Sequence, residues 1–295
     1  MFIQQLINGF TLGGLYALIA IGYTMVYGII ELINFAHGEI YMFGAFFTFV
    51  LIKNFNLSLA AAALISILSC ILLGIIIDYV AYRPLRHSPR LTVLISAIGV
   101  SLFLQNLALI IWGGRIVHFP EESLPSFFSG SAINIMEINI SWLQVLIIII
   151  TLAIMLALNL LVTKTRLGKA MRAVAQDKTT ASLMGINPDR IINFTFAIGS
   201  ALGGLSGIMV GLYYNAIFPT MGYMVGIKAF SAAVLGGIGS LPGAMLGGIL
   251  LGVAEVLGAG YISSSYRNGI AYAIMILIII FRPSGLLGKK IIKKV

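Results

Sequence analysis

Long apolar runs dominate this chain, and one polar interruption divides them. From Thr163 to Arg190 the sequence turns polar and mostly basic. The flanking runs are long enough to cross a bilayer, whose hydrocarbon core of about 30 Å takes roughly 20 apolar residues as helix. The interruption carries Lys164, Arg166, Lys169, Arg172, Lys178 and Arg190, opposed only by Asp177 and Asp189. Basic loops stay on the cytoplasmic side of a membrane, so segment 163–190 is expected to face the cytoplasm.

The chain has 295 residues, 60% of them hydrophobic and only 9% charged. A soluble domain carries about 25% charged residues, so a soluble fold is excluded. The fold class expected is all-α: a single polytopic membrane domain over 1–295, with about eight or nine transmembrane segments, one of them broken or re-entrant. The net charge of +9 sits mostly in three short loops or tails, which fits the positive-inside pattern better than nucleic-acid binding. Cys70 is the only cysteine and lies in an apolar run, which rules out an internal disulfide and a cysteine-based metal site. Met1 to Gln5 lacks the basic start of a cleaved signal peptide, so the first apolar segment is expected to be retained.

The segments read as Leu6–Ile30, Ile40–Ile52, Leu57–Tyr82, Leu91–Trp112, Ile140–Val162 and Ile191–Tyr214. Two Gly-rich runs follow, Gly222–Leu241 and Pro242–Gly260, then a last span over Gly269–Phe281. The basic turn from Arg83 to Arg90, the loop at 163–190 and the C-terminal tail (Lys289, Lys290, Lys293, Lys294) all read as cytoplasmic. The loop 113–139, with Glu121, Glu122 and Glu137 against Arg115, then lies outside and is broken by Pro120 and Pro125. Counting back puts the N-terminus outside.

Four features invite a functional reading, each beside a plainer one. The patch Glu31 to Glu39, with Asn34, His37 and Glu39, lies between apolar runs with little loop to spare. It is either an interfacial turn or a bend lining a substrate route, since an ionised side chain at a helix centre costs about 2.5–3.5 kcal/mol. His37 alone is no metal site, and His87 and His118 fall on opposite predicted sides. Gly236, Gly237 and Gly239 belong to a run of small residues that either packs helices closely or breaks a helix along a cavity. Glu255 and Lys228 lie in neighbouring Gly-rich segments and offer an ion pair inside the bundle. Asp78 lies near Arg83 and Arg86 and is expected to pair at the interface.

No catalytic or nucleotide motif appears. Gly168-Lys169 and Gly288-Lys289 lack the upstream glycine and the hydroxyl residue of a P-loop, and neither H-E-x-x-H nor G-x-S-x-G occurs. The chain is therefore expected to be no enzyme, with no cofactor of its own. Within 163–190, Leu167, Met171 and Val174 repeat at helical spacing. Asp177 is placed to cap a further helix, Lys178 to Met184 spans about two turns, and Gly185 suits a left-handed C′ position. Asn187 with Pro188 starts the next helix. A short helix between two spans follows, unless these caps are fortuitous in a solvated loop.

Several of these stretches resemble bacterial high-affinity branched-chain amino acid ABC permeases, of the smaller, LivH-type subunit. They are Arg166 to Asp177 continuing to Ile186, Asn34-Phe35-Ala36-His37-Gly38-Glu39, Tyr82-Arg83-Pro84-Leu85-Arg86, Val234 to Gly243, and Arg282-Pro283-Ser284-Gly285-Leu286. The likeness runs along essentially the whole chain. It implies a subunit of a multi-pass importer in the bacterial inner (plasma) membrane, with a cytoplasmic C-terminus. It also implies a second permease subunit, two ATP-binding subunits that hold the ATP, and a periplasmic or lipid-anchored substrate-binding protein. The coupling contact would be Asp177, Thr180, Ala181, Leu183, Met184 and Gly185, and the substrate Leu, Ile or Val. Related permeases take urea or short amides. The rival class is a self-sufficient secondary transporter or channel, for which Glu255 with Glu39 is the visible ion site; a membrane-embedded enzyme is a distant third.

Overall fold

The computed structural model describes residues 1–86, 88–120, 125, 128, 130–135 and 138–288. His87, Glu121, Glu122, Glu137 and the tail lysines Lys289, Lys290, Lys293 and Lys294 lie outside the described residues. The elements in chain order are α1 (Phe2–Ile30), α2 (His37–Phe55), α3 (Leu59–Ile77), α4 (Arg90–Trp112), β1 (Ser131–Ile135), β2 (Ile138–Ser141), α5 (Trp142–Lys164), α6 (Arg166–Gln176), α7 (Lys178–Leu183), α8 (Pro188–Tyr214), α9 (Met221–Gly236), α10 (Leu241–Tyr261) and α11 (Arg267–Phe281). A π-helical turn (Asp78–Tyr82) and a 3₁₀ turn (Arg83–Leu85) prolong α3.

Local chemistry sets most boundaries. Glu31 in the left-handed region, φ 56°, stops α1, and Asn56 at φ 51° stops α2. Ser141 and Gln144 form a reciprocal capping box at the start of α5, which satisfies two donors that a helix start leaves free. Thr165, Asn187 and Ser240 accept from backbone N–H groups at the starts of α6, α8 and α10. The sequence reading began the fifth span at Ile140. That residue instead pairs in an antiparallel hairpin, β1 with β2, where β-branched isoleucines favour the pleated surface.

Seven described helices are long and apolar enough to cross a membrane, fewer than the eight or nine read from sequence. The difference lies in α2, whose 19 residues include His37, Glu39 and Lys53, and in α9, which has only 16. At the glycine run α9 ends at Gly236, Gly237 and Gly239 take φ 104° and 91°, and α10 starts at Leu241 and packs back on α9, so the run is a turn between two helices.

The core is built around α1. In its most apolar stretch 89% of the residues are buried, against 22% for α4 and for α5 and 6% for the stretch ending at Phe281. So α1 is a central post, while α4, α5 and α11 present an apolar perimeter suited to lipid. Glycine permits the close crossings at the centre. Gly9 and Gly13 of α1 meet Val253 and Ile249 of α10, and Gly248 and Gly252 return the contact at Ala17 and Gly13. Gly203, Gly207 and Gly211 of α8 meet His37, Tyr41 and Ala45 of α2, so these two helices run parallel in register. These glycines, four residues apart along each helix, are thus crossing points between helices.

The bundle has two chemically distinct ends. At one, Gln4 exchanges hydrogen bonds with the backbone of Asn139, at 3.0 and 2.9 Å, and Val117 bridges Ile217. At the other lie α6, α7, the turn Arg83–Arg86 and the first turn of α8.

Candidate functional site

The patch 31–39 runs from the exposed Glu31 to buried polar residues. Asn34, His37 and Glu39 are 2%, 1% and 0% exposed. After Glu31 the chain turns back into the bundle, and α2 starts there. His37 fills the space opposite Gly22 of α1 and stands edge-on to Tyr23, with ring centroids 4.8 Å apart. Gly22 lies eight residues before the end of α1, so His37 stands about 12 Å inward along that axis. Asn34 accepts from the Tyr82 hydroxyl through Oδ1 at 3.1 Å, and Glu39 accepts from Ser101 through Oε1 at 3.0 Å.

Three other side-chain atoms of the patch have no partner. Among the described residues, Asn34 Nδ2, His37 Nε2 and Glu39 Oε2 are buried and without a hydrogen bond, as are Thr24 Oγ1 and Tyr41 Oη nearby in sequence. Leaving such groups unmet costs about 1–3 kcal/mol each. The starts of α2 and α9 cross at this depth. Gly38 abuts Gly222 and Gly226, and Gly222 faces Glu39 Oε2, where an added Cβ would come within 2.5 Å. The patch is therefore tightly packed by glycine contacts.

The run Gly236, Gly237 and Gly239, a further candidate for the substrate route, has different neighbours. Gly236 packs on Gly243, and Gly237 on Ser284 and Gly288. The N–H groups of Leu286 and Leu287 donate to the carbonyls of Leu235 and Gly236, both at 2.9 Å. A Cβ at Gly239 would meet nothing within 4 Å, while a Cβ at Gly28 would meet Gly239 Cα at 3.6 Å. This turn clasps the segment after α11, and none of its nearest contacts is Asn34, His37 or Glu39.

Segment 163–190 folds as a helix pair. Met171 and Val174 of α6 are buried, and Leu167 packs partly on the core. Asp177 caps α7 through Oδ1, accepting from Thr179 N–H at 2.8 Å and Thr180 N–H at 3.2 Å, while Oδ2 accepts from the Thr180 hydroxyl at 2.6 Å. The Thr180 hydroxyl and these N–H groups hold the Asp177 carboxyl below the usual aspartate range. At the far end the N–H of Ile186 donates to Ala181 O and that of Gly185 to Ser182 O, both at 3.0 Å. With Gly185 at φ 82° this is a Schellman stop, which meets two orphan carbonyls. Ala181 is buried, whereas Leu183 and Met184 are 85% and 76% exposed.

Lys228 Nζ pairs with Glu255 Oε1 at 2.8 Å, as the sequence allowed. Sequence reasoning missed the rest of that cluster. Arg267 Nε reaches the same carboxylate at 2.6 Å, and the Tyr16 hydroxyl donates to its other oxygen at 3.0 Å. Two cations therefore hold Glu255, which leaves it ill suited to carry a transported ion. Tyr82, Ser101 and Tyr23 were also missed as partners of the patch. They come from α1, α4 and the turn after α3, so only the folded chain reveals them.

The comparisons agree with this architecture. A family model described as the branched-chain amino acid transport system / permease component matches residues 5–279. The high-affinity branched-chain amino acid transport system permease protein LivH of Salmonella typhimurium is 47% identical, over 100% of this chain and 98% of the relative. Its namesake in Escherichia coli K12 is 46% identical, and BraD of Pseudomonas aeruginosa 45%, each with the same coverage. A chain of the PsaBC complex of Streptococcus pneumoniae with Fab shares the fold at TM-score 0.51 and 14% identity, covering 96% of this chain and 93% of that one. On the match of nearly its whole length, the chain belongs to the branched-chain amino acid transport system permease family.

Proposed function

We propose that this protein is the membrane-spanning permease subunit of an ABC importer for branched-chain amino acids. Its full-length relatives bear that name at 45–47% identity. The structural observation that carries the reading is α7. It is a two-turn helix capped at both ends, set between two spans, that projects Leu183 and Met184 away from the bundle. A chain with no nucleotide motif must receive mechanical work through a rigid contact. Asp177, Thr180, Ala181, Leu183, Met184 and Gly185 form that contact with an ATP-binding subunit on the cytoplasmic side, which also holds the C-terminus. The hairpin end, including segment 113–139, faces the external binding protein.

A second permease subunit completes the pathway. Asn34, His37 and Glu39 act as its gate: their unmet polar atoms gain partners when α2 and α9 move apart. Gly236, Gly237 and Gly239 supply the bend at the end of α9 rather than the gate. The secondary-transporter reading is disfavoured, because Glu255 is neutralised within the bundle. The test is uptake by proteoliposomes holding the assembled importer and its binding protein. ATP inside the vesicle should drive leucine, isoleucine or valine uptake with no ion gradient. Uptake that follows an ion gradient without ATP would reverse the assignment. Urea or short amides taken up in preference would change the substrate class alone.

A further inference from the structure

The reading of α7 as a coupling contact leaves open how its displacement reaches the spans. Arg86 is the residue placed to carry it. It follows the turn after α3, and its guanidinium is held on two sides. Nη2 donates to both oxygens of Asp78, at 2.7 and 2.8 Å. Nη1 donates to Asp189 Oδ1. Arg83 Nη2 takes the other Asp189 oxygen at 3.3 Å. Asp78 belongs to the turn that prolongs α3, and Asp189 is in the first turn of α8, just past the Schellman stop of α7.

The two arms differ in burial. Arg86 and Asp78 have side chains 10% and 2% exposed, while Asp189 is 50% exposed. The Asp78 arm is an anchor, since removing one partner would leave an unpaired buried charge. The Asp189 arm lies in water, where an ion pair adds little static stability. Its value is positional. A planar guanidinium can grip two carboxylates in fixed directions, which a lysine ammonium cannot. Arg86 also forms a wall common to two clefts. One, of about 750 Å³, is bounded by Lys178, Ser182 and Gly185 of the α7 region. The other, of about 470 Å³, is bounded by Ile75 of α3 and Asn193 of α8.

We propose that Arg86 is a positioning residue that transmits movement of α7 and the start of α8 to α3, through its two-sided grip on Asp189 and Asp78. This rests on the coupling reading of α7. The experiment measures ATP hydrolysis and uptake together in proteoliposomes of the assembled importer. Asp189→Asn cuts the exposed arm, together with the Arg83 contact, and leaves the Asp78 arm in place. It should leave the amount of permease, ATPase retention and hydrolysis unchanged, and lower amino acid taken up per ATP by about five-fold, a typical coupling factor. Arg86→Lys, which can hold Asp78 alone, should reproduce that ratio. Asp189→Glu, which restores a carboxylate, should recover most of it. Parent uptake per ATP in Asp189→Asn overturns the proposal, whether or not Arg86→Lys folds. Loss of ATPase from the Asp189→Asn complex also overturns it, since Asp189 would then act in docking. Failure of the coupling reading itself shows separately, as full uptake by Gly185→Val.

Discussion

The buried patch at 31–39 and the exposed helix α7 solve opposite problems. In α7 the helix-end donors and acceptors described above are met by Asp177, Thr180 and the Schellman stop, yet Leu183 and Met184 are left in the open. In the patch Asn34, His37 and Glu39 are closed off from solvent, yet each keeps a polar atom unmet. A helix that must push on a partner has to be rigid by itself and unfinished at its surface. A gate has to be held shut by packing while retaining polar groups whose needs are met in another state. The first arrangement is stiff and the second is frustrated, and the two call for different perturbations.

The strongest test attacks the packing that holds the patch. Gly44 of α2 lies directly on the backbone of Gly204. Gly44→Leu should abolish accumulation of folded permease in the membrane, since overpacking a tight crossing costs about 1–3 kcal/mol or more. Quantifying the protein in membranes, and its melting in detergent, checks this; a parent-like level would mean that the crossing is loose.

Next in size is Gly185→Val. Nothing lies within 4 Å of a Cβ at Gly185, so the effect there is backbone strain at φ 82°, worth about 1–2 kcal/mol. Substrate-stimulated ATP hydrolysis should fall about ten-fold while the membrane level of permease holds. Reversal of charge by Asp177→Lys should do the same. Parent rates in both would place the docking contact elsewhere than α7.

Smaller again are Asn34→Ala and His37→Ala. Each should cut uptake by more than half with ATPase binding intact. Normal uptake in both would make the patch a packing feature and erase the contrast with α7.

The smallest effect concerns pH. The Asp177 carboxyl is held below the usual aspartate range. Its cap is therefore fully present above that range and is lost as pH falls through the lowered value. Asp177→Asn keeps a good cap but cannot titrate. Hydrogen exchange at Lys178–Leu183, corrected for intrinsic rates, should accelerate on acidification in the parent and stay level in the variant. Equal profiles would show that the cap does not hold the helix.

These two regions also differ in how much could be read from the chain. The caps of α7 and the start of α8 were legible because capping is local: Asp177 and Gly185 for the first, Asn187 and Pro188 for the second, act on residues within a turn or two. The apolar spans were legible for the same reason. The patch was legible as a place, but its geometry was not, because Tyr82, Ser101 and Gly222 reach it from distant segments. Arg267 joined Glu255 and Lys228 without any local sign. The hairpin strands were passed over because they lay in the stretch read as a polar loop up to Asn139, although Ile133-Asn134-Ile135 and Ile138-Asn139-Ile140 alternate apolar and polar as half-buried strands do.

The crossing of α1 with α10 has a consequence for how the protein is made. Gly13 and Ala17, near the start of the chain, find their partners at Gly248 and Gly252, near its end. So α1 leaves the ribosome long before α10, its main neighbour, is made. It can wait because a helix in lipid already satisfies its own backbone. Closure of the bundle is thus a late event, and a chain stalled before α10 would hold a central post with nothing to lock it.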